Sequence, residues 1–439
     1  MDDKAGKVSE RNSQLAEAVA LRAKAEPVVW TDSMLQALVR GVRGGKWHSL
    51  IDKVWRKETL RRAWERVKSN DGAPGVDGQT IEDFERHLDS NLERLSAQLR
   101  GKKYEPKAVR RTWIPKPGKA EQRPLGIPTV ADRVVQMACQ IVLEPIYEHG
   151  FAEQSYGFRK GRSAKDALRR VHQMLKEGKR WVVDADLKSY FDTIPHDQLM
   201  ERVGQKVSDG SIHELIRQFL GQEVVDGEDR YQPKKGTPQG GVISPLLANI
   251  YLDPLDHLMV EQGFEMVRYA DDFVILCDTR AEAERALKVV EEWTSDSGLR
   301  LHPDKTSLIE AHSAEGFTFL GYHFHEGRKE PRRKSTQKFR DEIRALTKRT
   351  NGRSLDRVIE DINSVAEGWF EYFKHSVQST FRRTDQFIRQ RLRAMLRRRK
   401  NLRGMVNPKD YKRWPNSFFA GCGLFSMEQA RKAILQSLF

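Results

Sequence analysis

An α+β fold is predicted for this 439-residue chain by two changes of pattern along it. Between about Trp113 and Phe324, short apolar runs are separated by Gly and Pro, the pattern of strands alternating with helices. Beyond Gly327, long helical segments rich in Arg and Lys take over. At 38% apolar the chain is large enough to bury a core, and charges of both signs are mixed along most of it, which excludes a disordered polycation. The formal net charge of +15, from 77 basic and 62 acidic residues, calls for a polyanionic partner: nucleic acid first, an anionic membrane surface second.

Taken in order, residues 1–58 read as a weakly ordered lead and then a helical segment carrying Trp30, Leu35, Leu38, Trp47, Leu50, Ile51, Val54 and Trp55. The run from Asn70 to Gly78 is dense in turn formers. Thr80 then caps an amphipathic helix, with early acids Glu82 and Asp83 and with Ile81, Phe84, Leu88, Leu92 and Leu95 at helical spacing. Trp181–Leu187 and Phe273–Leu276 read as buried strands, and Glu282–Trp293 as a helix through Ala286, Leu287, Val290 and Trp293. From Arg382 to Arg413, thirteen basic residues stand against Asp385 and Asp410. There Phe387, Ile388, Leu392, Met395 and Leu396 follow one helical face, while Arg389, Arg393 and Arg397 recur at i, i+4 on another, followed by Arg398, Arg399 and Lys400. This spacing predicts a packed helix with a cationic outer face.

Cys139, Cys277 and Cys422 are far apart, so neither a disulfide framework nor a four-cysteine zinc module is expected. No secretory signal is visible and no run reaches the roughly 18 apolar residues of a membrane span, so a reduced, soluble, cytoplasmic protein without a membrane partner is expected.

Two segments point to chemistry. Asp186 ends the apolar strand Trp181–Leu187, and Asp271-Asp272 interrupt what would otherwise be one strand from Met266 to Leu276. Adjacent acids in an apolar setting repel and lose hydration, and a divalent cation relieves both. Hard oxygen donors without a Cys/His cluster favour Mg²⁺ over Zn²⁺. Read locally, Asp271-Asp272 is equally a solvated hairpin turn.

In company with other segments the resemblance is specific. Tyr269-Ala270-Asp271-Asp272 resembles the Y-x-D-D signature of reverse transcriptases, Asp184–Asp192 their first palm motif, and Gly236–Pro245 their P-Q-G motif, in the right order. Asn70–Asp77, Arg123–Pro128, Ser155–Arg159, Leu301–Thr306 and Phe319–Tyr322 are similar to further blocks of the reverse transcriptases encoded by bacterial group II introns. Gly368–Phe373 resembles their maturase signature and is followed by Gly423-Leu424-Phe425. The resemblance implies a right-hand polymerase: an N-terminal extension (1–58), fingers (59–180), a palm of antiparallel sheet plus helices (181–330), and a helical thumb/maturase domain (331–439). It implies an RNA-directed DNA polymerase that extends a DNA primer with dNTPs on an RNA template and binds group II intron RNA to assist splicing and mobility. A splicing maturase acting mainly by RNA binding, and a domesticated relative in defence or DNA repair, are the alternatives. Oligomeric state is left open.

By the same resemblance, Asp186 and Asp271 hold two Mg²⁺ ions, with Mn²⁺ as a substitute, one activating the primer 3′-hydroxyl and the other binding the triphosphate. Asp272 is the second acid of the turn, and the Leu187 carbonyl is a further metal ligand. Asp184 and Asp192 are expected to be surface or capping carboxylates. Phe191, five residues after Asp186, falls where the family carries an aromatic gate against a ribose 2′-hydroxyl; a core ring is the plainer alternative. Gln239 and Gly240 would line the nucleotide site, Lys116 and Arg123 would reach the triphosphate, and Lys305 would help place it. Solvated loop charges are the alternative for the fingers cations, since Lys119 is an equal donor. Arg389, Arg393, Arg397, Arg398, Arg399 and Lys400 would grip duplex and structured RNA, with Trp369, Tyr372 and Phe373 forming the apolar seam of the thumb. Many relatives end in a zinc-stabilised endonuclease with paired cysteines. With only Cys422 near the end, no DNA-strand cleavage is expected.

Overall fold

The computed structural model describes residues 22–115 and 122–436. It divides into two units, Met1–Val171 with Val183–Leu308, and His172–Val182 with Ile309–Phe439. Strands and helices are mixed in it, as the sequence predicts.

Eight strands form two sheets: β1 (Val109–Pro115), β2 (Gln122–Ile127), β3 (Trp181–Asp186), β4 (Val224–Asp226), β5 (Asp229–Tyr231), β6 (Glu265–Tyr269), β7 (Asp272–Cys277) and β8 (Ser307–Glu310). One sheet has the order β2-β1-β4-β5, with β1 antiparallel to β2 and parallel to β4. The other has the order β6-β7-β3-β8, and β6 and β7 close an antiparallel hairpin whose last pair is Tyr269 with Asp272. In β7, Phe273 to Cys277 are all buried, which is why the strand reads as an unbroken apolar run. Two helices, Val130–Glu148 and Ser244–Glu261, are buried nearly all round and form the core of this unit.

Local signals set several boundaries. Thr80 and Asp83 form the reciprocal capping box that the early acids foreshadow, but the expected single helix breaks at His87 into Ile81–Arg86 and Leu88–Arg100. The helical segment expected over Trp30–Trp55 is also corrected. Only Asp32–Arg40 and the short Ile51–Val54 are α-helical, with a single 3-10 turn at Arg43–Gly45, because Gly41, Gly44 and Gly45 take positive φ between them and Trp47 bridges to Val207 instead.

The second unit carries a small antiparallel sheet, β9 (Phe317–Phe319), β10 (Tyr322–His325) and β11 (Arg328–Pro331), in the order β11-β10-β9. Three long helices follow, Arg333–Leu346, Leu355–Phe373 and Gln378–Arg399, packed around Phe339, Ile343, Ile362, Phe370, Phe381 and Leu392. Trp369 lies 4.9 Å from both Phe339 and Phe373, so the aromatic seam is an internal one. The Gly423–Phe425 block is anchored to the same helices, with Asn363 donating to the Gly423 carbonyl and accepting from the Phe425 amide, each at 2.8 Å.

The cationic outer face on Gln378–Arg399 needs correction. Arg393 and Arg397 are buried. Arg393 donates to the Trp414 carbonyl and Asn416 Oδ1 and lies 4.3 Å over the Tyr411 ring, while Arg397 donates to buried Asp410 at 2.7 Å. Arg389 is half-buried 3.9 Å from Asp385, whose carboxylate caps the helix Met427–Gln436. These arginines tie the C-terminal segment to the long helix. The exposed cations of this stretch are Arg382 and Arg383 near the start of that helix, and Arg398, Arg399, Lys400, Arg403, Lys409, Lys412 and Arg413 at its end and just after it.

Candidate active site

Asp186 ends β3 and Asp271 sits in the β6–β7 turn, so the two carboxylates come from neighbouring strands of one sheet. Lys305 forms an ion pair with Asp186. Burial raises the Asp271 carboxyl above its ordinary range, and the Asp186 charge adds to the rise; Arg123 and Lys305 act the other way. Asp184, expected at the surface, is half-buried, and its carboxyl is pushed up to about 7 by burial and then by Asp186. As residues i and i+2 of a strand, Asp184 and Asp186 share one face. Asp192 is exposed and accepts from the Gln239 amide at 3.0 Å.

Asp271 and Asp272 do lie at a hairpin turn, yet Asp271 is not solvated like an ordinary turn residue. The turn has Ala270 at φ +60, a place where two-residue hairpins normally take Gly. A buried arginine holds it there. Arg268 Nε donates to Asp256 Oδ1 at 2.7 Å, and Nη2 to Asp256 Oδ2 and to Ser155 Oγ at 2.8 Å. Nη1 donates to Asn249 Oδ1 at 3.0 Å and to the Ala270 carbonyl at 2.9 Å. All five N–H groups are used, so the charge is paired inside the core, and removing either partner would cost about 3–5 kcal/mol. The sequence reading passes over Arg268, although a lone Arg between Val267 and Tyr269 in a buried strand was a usable signal.

Leu187 bridges antiparallel to Leu301. The flanking bonds run from Lys188 N to the Arg300 carbonyl and from His302 N to the Asp186 carbonyl, each at 2.8 Å. In such a pairing the carbonyl of Leu187 itself points away from Leu301.

The P-Q-G loop docks against Phe191, whose carbonyl accepts from Thr237 N at 2.6 Å. Phe191 is only partly buried; its ring meets Tyr190 at 5.5 Å and Phe158 at 6.2 Å. Gly240, at φ +110, is required for a reason internal to the fold: a Cβ there would lie 2.3 Å from the Gly126 carbonyl of β2, while Gly126 N donates to the Gln239 carbonyl at 2.6 Å. The P-Q-G loop is thereby fastened to the β1–β2 hairpin that carries Arg123. Beside it lies a cleft of about 260 Å³, lined by residues that include Trp113, Tyr231, Lys235 and Gln239. Lys116 and Lys119 lie outside the described residues.

Among the described residues no group of three Asp, Glu, His or Cys side chains is gathered as a complete metal cage. The donors at hand are the carboxylates of Asp186 and Asp271 with Asp272 beside them. That set fits Mg²⁺, which is commonly held by one or two carboxylates and completed by water and substrate phosphates. It does not fit a structural zinc.

Comparison with known proteins gives the family. Residues 114–324 match the reverse transcriptase (RNA-dependent DNA polymerase) family, and residues 336–411 match the group II intron maturase-specific domain. The chain is 34% identical over 314 residues to protein YkfC of Escherichia coli strain K12, across 62% of this chain and 82% of that protein. It is 37% identical over 201 residues to the group II intron-encoded protein LtrA of Lactococcus lactis subsp. cremoris, across 45% of this chain and 33% of that one. Among solved structures, a chain of a partial Cas6-RT-Cas1–Cas2 complex is 27% identical with a TM-score of 0.37, across 56% of this chain and 41% of that chain. Among the described residues no helix is long and apolar enough to cross a membrane.

Proposed function

This chain belongs to the reverse transcriptase family, in the group that carries a group II intron maturase-specific domain, and from that membership we propose that it extends a DNA primer 3′-hydroxyl with deoxynucleotides on an RNA template and binds a group II intron RNA to assist its splicing and mobility. The observation that carries the polymerase reading is the meeting of Asp186 and a desolvated Asp271 on adjacent strands, with Lys305 as counter-charge. Divalent-metal catalysis is general to the family. Here Asp186, Asp271, Asp272 and the Leu187 carbonyl would hold two Mg²⁺ ions, which when bound supply Lewis acidity at the 3′-oxygen and the leaving pyrophosphate.

The remaining roles belong to the chain's own side chains. Lys305 screens Asp186 and lies where it can turn to an incoming triphosphate; Arg123 approaches the same place from β2. Gln239 and Gly240 shape the nucleotide side of the site. Phe191 stands against a ribose 2′-hydroxyl. The exposed cations Arg398 to Lys400, with Arg403 and Lys409 beyond them, grip RNA phosphates, whereas Arg389, Arg393 and Arg397 act by anchoring that segment. The division into fingers (59–180), palm (181–330) and thumb/maturase (331–439) belongs to the same reading.

Primer extension on an RNA template tests it. Asp271→Ala is expected to lower the rate by about 10³-fold or more, a metal site being worth several kcal/mol to the transition state. Synthesis retained at the wild-type rate would overturn the metal assignment. A wild-type chain that bound RNA tightly but incorporated no nucleotide with Mg²⁺ present would leave RNA binding as its function.

A further inference from the structure

We infer that Phe158 is a specificity-determining positioning residue: its ring is the backstop that holds the Phe191 ring in place and so sets how strictly a ribose 2′-hydroxyl is refused. The inference rests on the reading of Phe191 as a gate. Phe158 has φ +58, a costly conformation for an aromatic residue, and it is 47% exposed. A large apolar ring kept out of the core on a strained backbone is not explained by core packing.

The strain is enforced from both sides. Before Phe158, Asn249 Nδ2 donates to the Gly157 carbonyl at 2.8 Å and Arg268 donates to Ser155 Oγ. A Cβ at Gly157 would lie 2.2 Å from the Ala270 amide nitrogen, so only glycine lets this loop press on the backbone of the Tyr269–Asp272 turn. After Phe158, buried Arg159 forks onto Glu148 at 2.9 and 3.0 Å and donates to the Ala152 and Ser155 carbonyls at 2.6 and 2.8 Å. Between these anchors the chain carries the Phe158 ring edge-on to Phe191, with centroids 6.2 Å apart and planes at 79°. A second ring against Phe191 is that of Tyr190, buried and at 65°, whose hydroxyl donates to the Ala248 carbonyl. Phe191 thus meets one buried ring and one exposed ring. The exposed one is mounted on the scaffold of Arg268 that also holds the Asp271 turn, so gate and carboxylate keep a common reference.

Single-nucleotide incorporation of matched dNTP and rNTP by wild type, Phe191→Ala, Phe158→Ala, Phe158→Leu and Phe158→Tyr tests this. Phe158→Ala and Phe158→Leu, which lacks a ring edge but keeps apolar bulk, are expected to lower the dNTP/rNTP ratio of kcat/KM by about 3- to 10-fold, the worth of one aromatic pair. Phe158→Tyr is expected to keep the wild-type ratio, since its hydroxyl can reach solvent at this exposed position. If the Ala and Leu variants slow both nucleotides by one factor while Phe191→Ala relaxes selectivity, the gate stands and the backstop is overturned. If Phe191→Ala itself leaves the ratio unchanged, the gate reading fails and the inference falls with it.

Discussion

His172 shows how a single residue records its neighbours. Its imidazole is pushed down to about 4, first by burial and then by the positive charges of Lys329, Lys176 and His375, so it is neutral in the folded chain at every pH near neutrality. The sign of the consequence follows from linkage. Above the ordinary histidine range neither folded nor unfolded chain is protonated here, and stability is full. As pH falls from about 6.5 toward 4 the unfolded chain takes the proton first, and stability is lost. His172→Gln removes that loss, so its Tm is expected to gain on wild type by a few degrees at pH 5 and by little at pH 7.5, measured by thermal melts at the two pH values. Equal shifts at both would show that His172 is not the titrating group. The same dependence on neighbours separates the residues that sequence reading found from those it did not. Asp186 and Asp271 betray themselves as acids at the ends of apolar runs, a local contradiction. Arg268 carried the same contradiction, yet its partners Ser155, Asn249 and Asp256 are spread over a hundred residues, and only folding brings them together.

At the scale of elements, the helix Gln378–Arg399 is where a periodicity argument met its limit. Spacing of i, i+4 does put Arg389, Arg393 and Arg397 on one side, as expected, but that side faces the segment after the helix rather than solvent. Asp410, thirteen residues beyond Arg397, turns a would-be phosphate contact into an internal tie. Arg397→Ala is therefore expected to destabilise by about 3–5 kcal/mol in urea denaturation, because it strands a buried carboxylate. Arg398→Ala, one residue further on and exposed, is expected to stay within about 0.5 kcal/mol. Comparable losses in the two variants would contradict the assigned burial. The helix caps and the β6–β7 hairpin were more legible, because Thr80 with Asp83, and a short polar turn between apolar strands, act over three or four residues.

Across the whole molecule, the excess of +15 is a statement about partners rather than about fold. Only its exposed part is available to a polyanion. RNA affinity measured against salt is expected to lose about 0.7–0.9 of logarithmic slope for each phosphate-contacting cation removed, so replacing Arg398, Arg399, Lys400 and Arg403 together should flatten the slope by about 3. An unchanged slope would place the RNA contacts elsewhere on the chain. The α+β class, the order of the motifs and the acids proposed for the chemistry were legible in the sequence itself, since strand and helix periods and capping signals are short-range and the motifs are contiguous. Which charges are buried, what holds the Tyr269–Asp272 turn and what stands behind Phe191 were decided only by the tertiary structure. A charged or aromatic side chain looks the same in sequence whether water or a distant partner completes it, and in this chain distant partners complete Arg268, Arg397 and Phe158.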